Sequence, residues 1–220
     1  MKTFFSLVIA ALYPFVKCSS QCSCRPLQSI LLVDNNLNVF RDPWPFLKSM
    51  NRLYLKYMPP WNDFKYITCV ISEFTSNHTL YSVERNVSWT NLSKTPRTRE
   101  SVEVEIKKFT GTRKSNTEFQ VITDRTTYDF DTLYADSKCL ILKISQTYAG
   151  QLRGNCFLWL KEADLKDPLR HCYFFYTVLC AWEAHVLEPT PDCDKRSEIG
   201  DKNLPNPPFN KEPDAARDPR

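Results

Sequence analysis

The chain has 220 residues, a formal charge of +4 and nine cysteines. That length suits one well-buried domain and falls short of two ordinary ones. The charge is too small and too dispersed for a nucleic-acid surface, and only four glycines leave no room for a glycine-rich phosphate loop.

Lys2 precedes an apolar run from Phe4 to Val16, interrupted by Pro14. The run is too short to span a bilayer and has the shape of a secretory signal over residues 1–20. No later segment is apolar enough to cross a membrane. The expectation is a secreted, extracellular, monomeric protein with no membrane or nucleic-acid partner. Residues 21–41 read as an N-terminal extension. Asp42-Pro43 then gives a cap and a first-turn proline for a short helix.

From there the period is two. Leu53, Leu55 and Tyr57 alternate with Arg52, Tyr54 and Lys56; Val102, Val104 and Ile106 alternate with Glu103, Glu105 and Lys107. Similar runs occur at 66–75, 79–89, 117–123, 127–134, 139–147 and 156–161, separated by turn-like segments. At Asp167-Pro168 the period changes. Leu169, Cys172, Tyr173, Tyr176, Leu179 and Cys180 fall at spacings of three and four, one face of a helix. Residues 194–220 are polar and proline-rich and read as a disordered tail. The pattern predicts a mainly β domain over 42–193: an eight-stranded antiparallel up-and-down barrel with a C-terminal α-helix packed on its wall.

Cys18 goes with the signal, which leaves an even set of cysteines in an exported chain, and such a set reads first as disulfides. The sequons at Asn77, Asn86 and Asn91 fit the same compartment and predict glycosylation. Cys172 and Cys180 are about 12 Å apart along a helix, beyond the roughly 7 Å a bridge allows. Each must therefore reach another element, with Cys139 and Cys156 at strand starts as recipients. No zinc-ligand spacing, metalloprotease motif or nucleophile elbow is present, so neither a metal, a cofactor nor a catalytic residue is expected.

Several of these residues carry a resemblance. YITCV around Cys69, YADSKCLIL around Cys139, CFLWL around Cys156, and the spacing from Cys172 to Cys193 make the chain similar to the tick salivary lipocalins of the histamine-binding type. The resemblance covers roughly Trp44 to Cys193. It implies a non-enzymatic barrel with a C-terminal helix that sequesters small host mediators such as histamine, serotonin or leukotrienes. It also implies bridges Cys69–Cys193 and Cys139–Cys172, after which Cys156 is left for Cys180.

With Cys139 and Cys156 facing outward, strand parity turns Leu140, Leu142, Phe157 and Trp159 into the lumen. The resemblance adds a contrast, because amine-binding members carry an Asp where Leu140 stands and a Glu where Phe157 stands. Pro59-Pro60-Trp61 replaces a third acidic element. Glu100 shares the inward parity of Val102 and Val104 and is the one candidate lumen acid. Tyr57 and Trp61 are candidate cation–π partners, worth about 1–2 kcal/mol, too little to hold a buried ammonium. The expected guest is therefore a lipid mediator in preference to a biogenic amine. The competing expectation is an inhibitor of a host plasma protein of complement or haemostasis, acting through its outer surface with the lumen filled.

Overall fold

The computed structural model describes residues 31–32, 35–60, 64–95, 97–108, 117–145, 156–165, 169–180, 184–188 and 193. The expected signal segment, most of the extension, the tail and Trp61 lie outside the described residues. The chain divides into two compact units, 1–35 and 36–220, and every strand belongs to the second.

The period-two runs become strands in chain order. They are β1 (Leu53–Met58), β2 (Ile67–Thr79), β3 (Ser82–Asn91), β4 (Thr98–Lys108), β5 (Glu118–Ile122), β6 (Thr127–Ala135), β7 (Cys139–Ile144) and β8 (Cys156–Lys161). All neighbouring pairs are antiparallel, and β1 hydrogen-bonds both β8 and β2, so the sheet closes on itself. Closure removes the free edges that an open sheet would expose. A further two-residue strand, β9 (His185–Val186), pairs with Tyr57 and Met58 where β2 has left β1. Two residues are too few for any periodic signal in the sequence.

The inward set forms one core, running from Phe46 and Leu47 through Leu53, Val83, Val104 and Ile106 to Leu140 and Phe157. Alternation is broken where a strand carries an extra residue. In β2 the register shifts between Thr68 and Ile71, and Cys69 there has a φ of 52°. A left-handed conformation costs a non-glycine residue about 1–2 kcal/mol. The bulge leaves Ile67 and Val70 in the core while Cys69 joins a separate cluster with Tyr54, Ile71 and Cys193.

Helix α1 (Trp44–Leu47) is a single turn after Pro43, with Asp42 Oδ1 accepting from the Trp44 N–H at 3.1 Å. Helix α2 (Arg170–Cys180) buries Cys172, Tyr176, Leu179 and Cys180. The bridges are Cys69–Cys193, Cys139–Cys172 and Cys156–Cys180, with Cα separations of 5.2, 6.3 and 5.8 Å. Two of them tie α2 to β7 and β8. On the loop-entropy model closures of these lengths contribute about 3.5–5 kcal/mol each.

Candidate functional site: an apolar cavity inside the barrel

A cavity of about 160 Å³ lies within the barrel. Strand parity explains its walls. Val102, Val104 and Ile106 of β4 face it, as do Leu140 and Leu142 of β7 and Phe157 and Trp159 of β8. Leu53 and Leu55 of β1, Val70 of β2, and Val87 and Trp89 of β3 also line it. Between β4 and β7, Phe119 of β5 and Phe130 of β6 stack with centroids 5.7 Å apart, and Phe157 meets Phe130 edge-on at 6.0 Å. Polar side chains on the lining are Ser72, Arg85, Thr123 and Tyr128, with the indoles of Trp89 and Trp159, among the described residues. Among the described residues the lining holds no carboxylate, histidine or thiol, so these offer neither an acid–base pair nor a counter-ion for an ammonium.

Two candidate lumen residues are placed otherwise. Tyr57 does not border the cavity. The register of β1 against β8 slips between Leu55 and Tyr57, which turns Tyr57 outward, where its ring meets Tyr173 at 5.7 Å and Tyr176 at 5.0 Å. Met58 takes the inward place. Nothing in LYLKYM marks that bulge. Glu100 pairs with Trp89 across the β3–β4 ladder but stands beyond the lining. Its Oε1 accepts from Lys94 Nζ at 2.6 Å and from the Asn91 amide at 3.4 Å. A carboxylate already neutralised by a lysine is a poor seat for a second cation. Trp61 lies outside the described residues.

The floor of the cavity comes from a residue that sequence reasoning passed over. Arg85, at 1 % exposure, sits mid-strand in β3 at an inward position. A guanidinium has five N–H donors. Here Nε donates to Ser72 Oγ at 2.8 Å, Nη1 to the Leu47 and Ser49 carbonyls at 2.9 and 2.8 Å, and Nη2 to the Asn51 and Ser72 carbonyls, both at 2.9 Å. Two of those carbonyls, of Ser49 and Asn51, belong to the irregular segment that follows α1, and that of Leu47 is at the C-terminal end of the helix, where carbonyls lack a partner within the helix. Arg85 therefore latches α1 across the barrel end, where Trp44 packs edge-on against Tyr81 and Phe119. Burial lowers the Arg85 pKa to about 10, so it keeps its charge at neutral pH. An arginine in the alternating run SVERNVSW was the available signal: its parity matches Val83 and Val87.

The outer wall under α2 is the other ordered polar cluster. Asp136 closes the β6–β7 turn. Its Oδ1 accepts from the Lys138 and Cys139 N–H groups at 2.7 and 2.8 Å. Its Oδ2 accepts from the Tyr134 hydroxyl at 2.9 Å and meets His171 Nε2 at 2.8 Å. Burial opposes ionisation, but these four donors outweigh it and hold the Asp136 pKa below the ordinary carboxylate value. Asp136, Cys139, His171 and Cys172 offer donor atoms within 4.8 Å of one another. The two sulphurs are bonded together, so neither is a thiolate that a metal would take.

A depressed folded-state pKa contributes stability above the unfolded value, and that stability is lost as pH falls through the folded one. Asp136→Asn is thus expected to melt below the wild type at pH 7, the two converging as the pH falls below the ordinary carboxylate range. Calorimetric melting points across that range test it; parallel curves contradict it.

The sequons differ in setting. Asn77 is exposed, the Asn86 Oδ1 is buried without a partner, and Asn91 uses its amide on Glu100 and its oxygen on Ser93.

Comparison with known proteins follows this geometry. No curated protein matches the sequence significantly. Among solved structures, Japanin from Rhipicephalus appendiculatus bound to cholesterol is similar at 14% identity and a TM-score of 0.50, over 64% of this chain and 95% of that one. Lobster apocrustacyanin A1 is similar at 10% identity and a TM-score of 0.42, over 62% and 77%. At such identities the likeness to Japanin speaks to fold alone, and it is the fold described above: a closed antiparallel barrel with a helix against it. Residues 32–193 fit the family model described as tick histamine binding protein, and the chain belongs to that family.

Proposed function

We propose that the protein is a secreted, non-enzymatic container that holds a small apolar mediator of its host in the barrel cavity, a lipid in preference to a biogenic amine. The carrying observation is a closed barrel that keeps an interior cavity whose lining has no carboxylate among the described residues. An ammonium brought there leaves its hydration behind and finds no counter-charge, a penalty of several kcal/mol. A hydrocarbon guest meets leucine, valine, phenylalanine and tryptophan instead, each square ångström removed from water contributing about 25 cal/mol. Leu140 and Phe157 occupy the places where the amine-binding pattern has acids, and both border the cavity. The rival idea of an outer-surface inhibitor with a filled barrel does not need that space. Japanin, of like fold, is bound to cholesterol, an apolar body with one hydroxyl.

At about 160 Å³ the cavity is smaller than common drug-sized pockets of roughly 300–1,000 Å³. The reading therefore includes side-chain repacking around a larger guest, with the ring contacts of Phe64, Phe130 and Phe157 free to readjust. The test is mass spectrometry on the protein secreted from eukaryotic cells supplied with serum lipids. The expected result is a mature chain lacking the signal segment, glycan added at the sequons, and a co-purifying small apolar molecule released by solvent. A chain that carries a biogenic amine under the same conditions contradicts the ligand class.

A further inference from the structure

Most of the cavity lining is apolar, and at its floor Arg85 and Ser72 make an uneven pair. All five guanidinium hydrogens are spent on neutral oxygens. The hydrogen bonds are satisfied, but the charge is not balanced: among the described residues no carboxylate contacts Arg85. Glu73, the nearest acid by its influence on Arg85, ion-pairs with Arg52 at 2.9 Å on the outer side of β2. Ser72 is buried, borders the cavity, and gives one lone pair of its hydroxyl to Arg85 Nε. A hydroxyl also has a proton to donate, and no protein acceptor takes the proton of Ser72 among the described residues. An oxygen that already accepts from a cation is a strengthened donor, because successive hydrogen bonds polarise one another.

We propose that the Ser72 hydroxyl, polarised by the buried Arg85, is a polar subsite at the cavity floor that receives an acceptor oxygen of the guest. This rests on the container reading and specifies its ligand: an apolar body carrying a carboxylate, with a hydroxyl or carbonyl as weaker substitutes. The guest enters oxygen first, its hydrocarbon lying along Val104, Leu142 and Phe157. A carboxylate there meets one charge-assisted donor and an unbalanced cation behind it. An ammonium meets the same cation as a like charge, and only the second lone pair of the Ser72 hydroxyl is left to accept from it. The subsite therefore sorts guests by the sign of their polar end.

The experiment is calorimetric titration with three guests that share one chain and differ at its end: decanoic acid, decanol and decylamine. The wild type is expected to bind decanoate about tenfold or more tighter than decylamine, with decanol between them. In Ser72→Ala the donor is gone while the Arg85 charge remains, and that acid-to-amine ratio is expected to fall about threefold or more. Ser72→Thr keeps a hydroxyl in place and is expected to retain it. A wild-type ratio near one, or in favour of the amine, overturns the proposal even where Ser72→Ala does not fold. A ratio undiminished in Ser72→Ala overturns it too, as does a parallel loss of all three affinities with the ratio unchanged. Binding of decanol without discrimination between acid and amine leaves the container reading standing alone. Failure of all three guests to bind sinks the container reading itself.

Discussion

Arg85→Met is expected to destabilise the protein by about 4 kcal/mol and to lower its melting point by roughly 8–16 °C. The substitution keeps an unbranched apolar stem, shorter than that of arginine, and removes the five donors. The Leu47 carbonyl is then left without a donor in a buried setting, and the Ser49 and Asn51 carbonyls in part-buried ones. Each buried acceptor left without a partner costs about 1–3 kcal/mol, which is why the loss exceeds that of an ordinary core substitution. Arg85→Lys is expected to fall between the two. An ammonium keeps the charge but presents three donors from one point and does not span acceptors that a planar fork reaches. Calorimetric melting of the three proteins decides the matter. A methionine variant that melts within about 2 °C of the wild type means that the latch is unimportant.

The consequence reaches the cavity. Arg85 holds α1 and the segment after it against the barrel end, and Leu47 of that turn is itself part of the lining. Freeing the segment admits water to the floor, so a protein that still folds is expected to have lost guest affinity as well as stability. Buried charge is ordinarily weak evidence of stabilisation. Here the exception follows from geometry, since five fixed acceptors require five donors and only arginine supplies them from one side chain.

Much of this arrangement could be seen in the residues alone, and the parts that could not have identifiable causes. Cys139 and Cys156 acted as markers of the outer face, so Leu140, Leu142, Phe157 and Trp159 followed by alternation and do border the cavity. β5 and β6 carry no bridged cysteine. Their alternation was visible, but nothing in the sequence said which face was inside, and Phe119 and Phe130 went unassigned. Tyr57 was misassigned because a bulge shifts every later side chain by one face and leaves no signature in a run without glycine or proline. Glu100 has the inward parity but lies past the lining, paired with Lys94; parity gives a face and not a depth. Arg85 was overlooked for a different reason. An inward charge in a strand reads as an exception to the pattern until its five acceptors, three of them 34–38 residues away, are seen together.

The helix shows the same division. Spacing put Cys172, Tyr176 and Cys180 on one face and ruled out their mutual bond, and the structure has both sulphurs tied to neighbouring strands. The aromatic surface that receives α2 depends on the outward turn of Tyr57 and on Tyr134, whose ring stacks on Phe175 at 4.1 Å. Those contacts depend on tertiary placement that no local pattern records.

The central claim, that the guest sits inside the barrel, is tested most directly by filling it. Val104 and Leu142 face the cavity from strands on different sides of the barrel. Replacing both with phenylalanine adds hydrocarbon and no polar atom, at a stability cost of about 1–3 kcal/mol per site from overpacking. Titration calorimetry with decanoate is expected to show heat for the wild type and a loss of about a hundredfold or more in affinity for the Val104→Phe/Leu142→Phe protein, equivalent to roughly 2.7 kcal/mol. The doubly filled protein should still melt cooperatively, which separates lost space from lost fold. Undiminished affinity in that variant would place the guest on the outer surface and contradict the account.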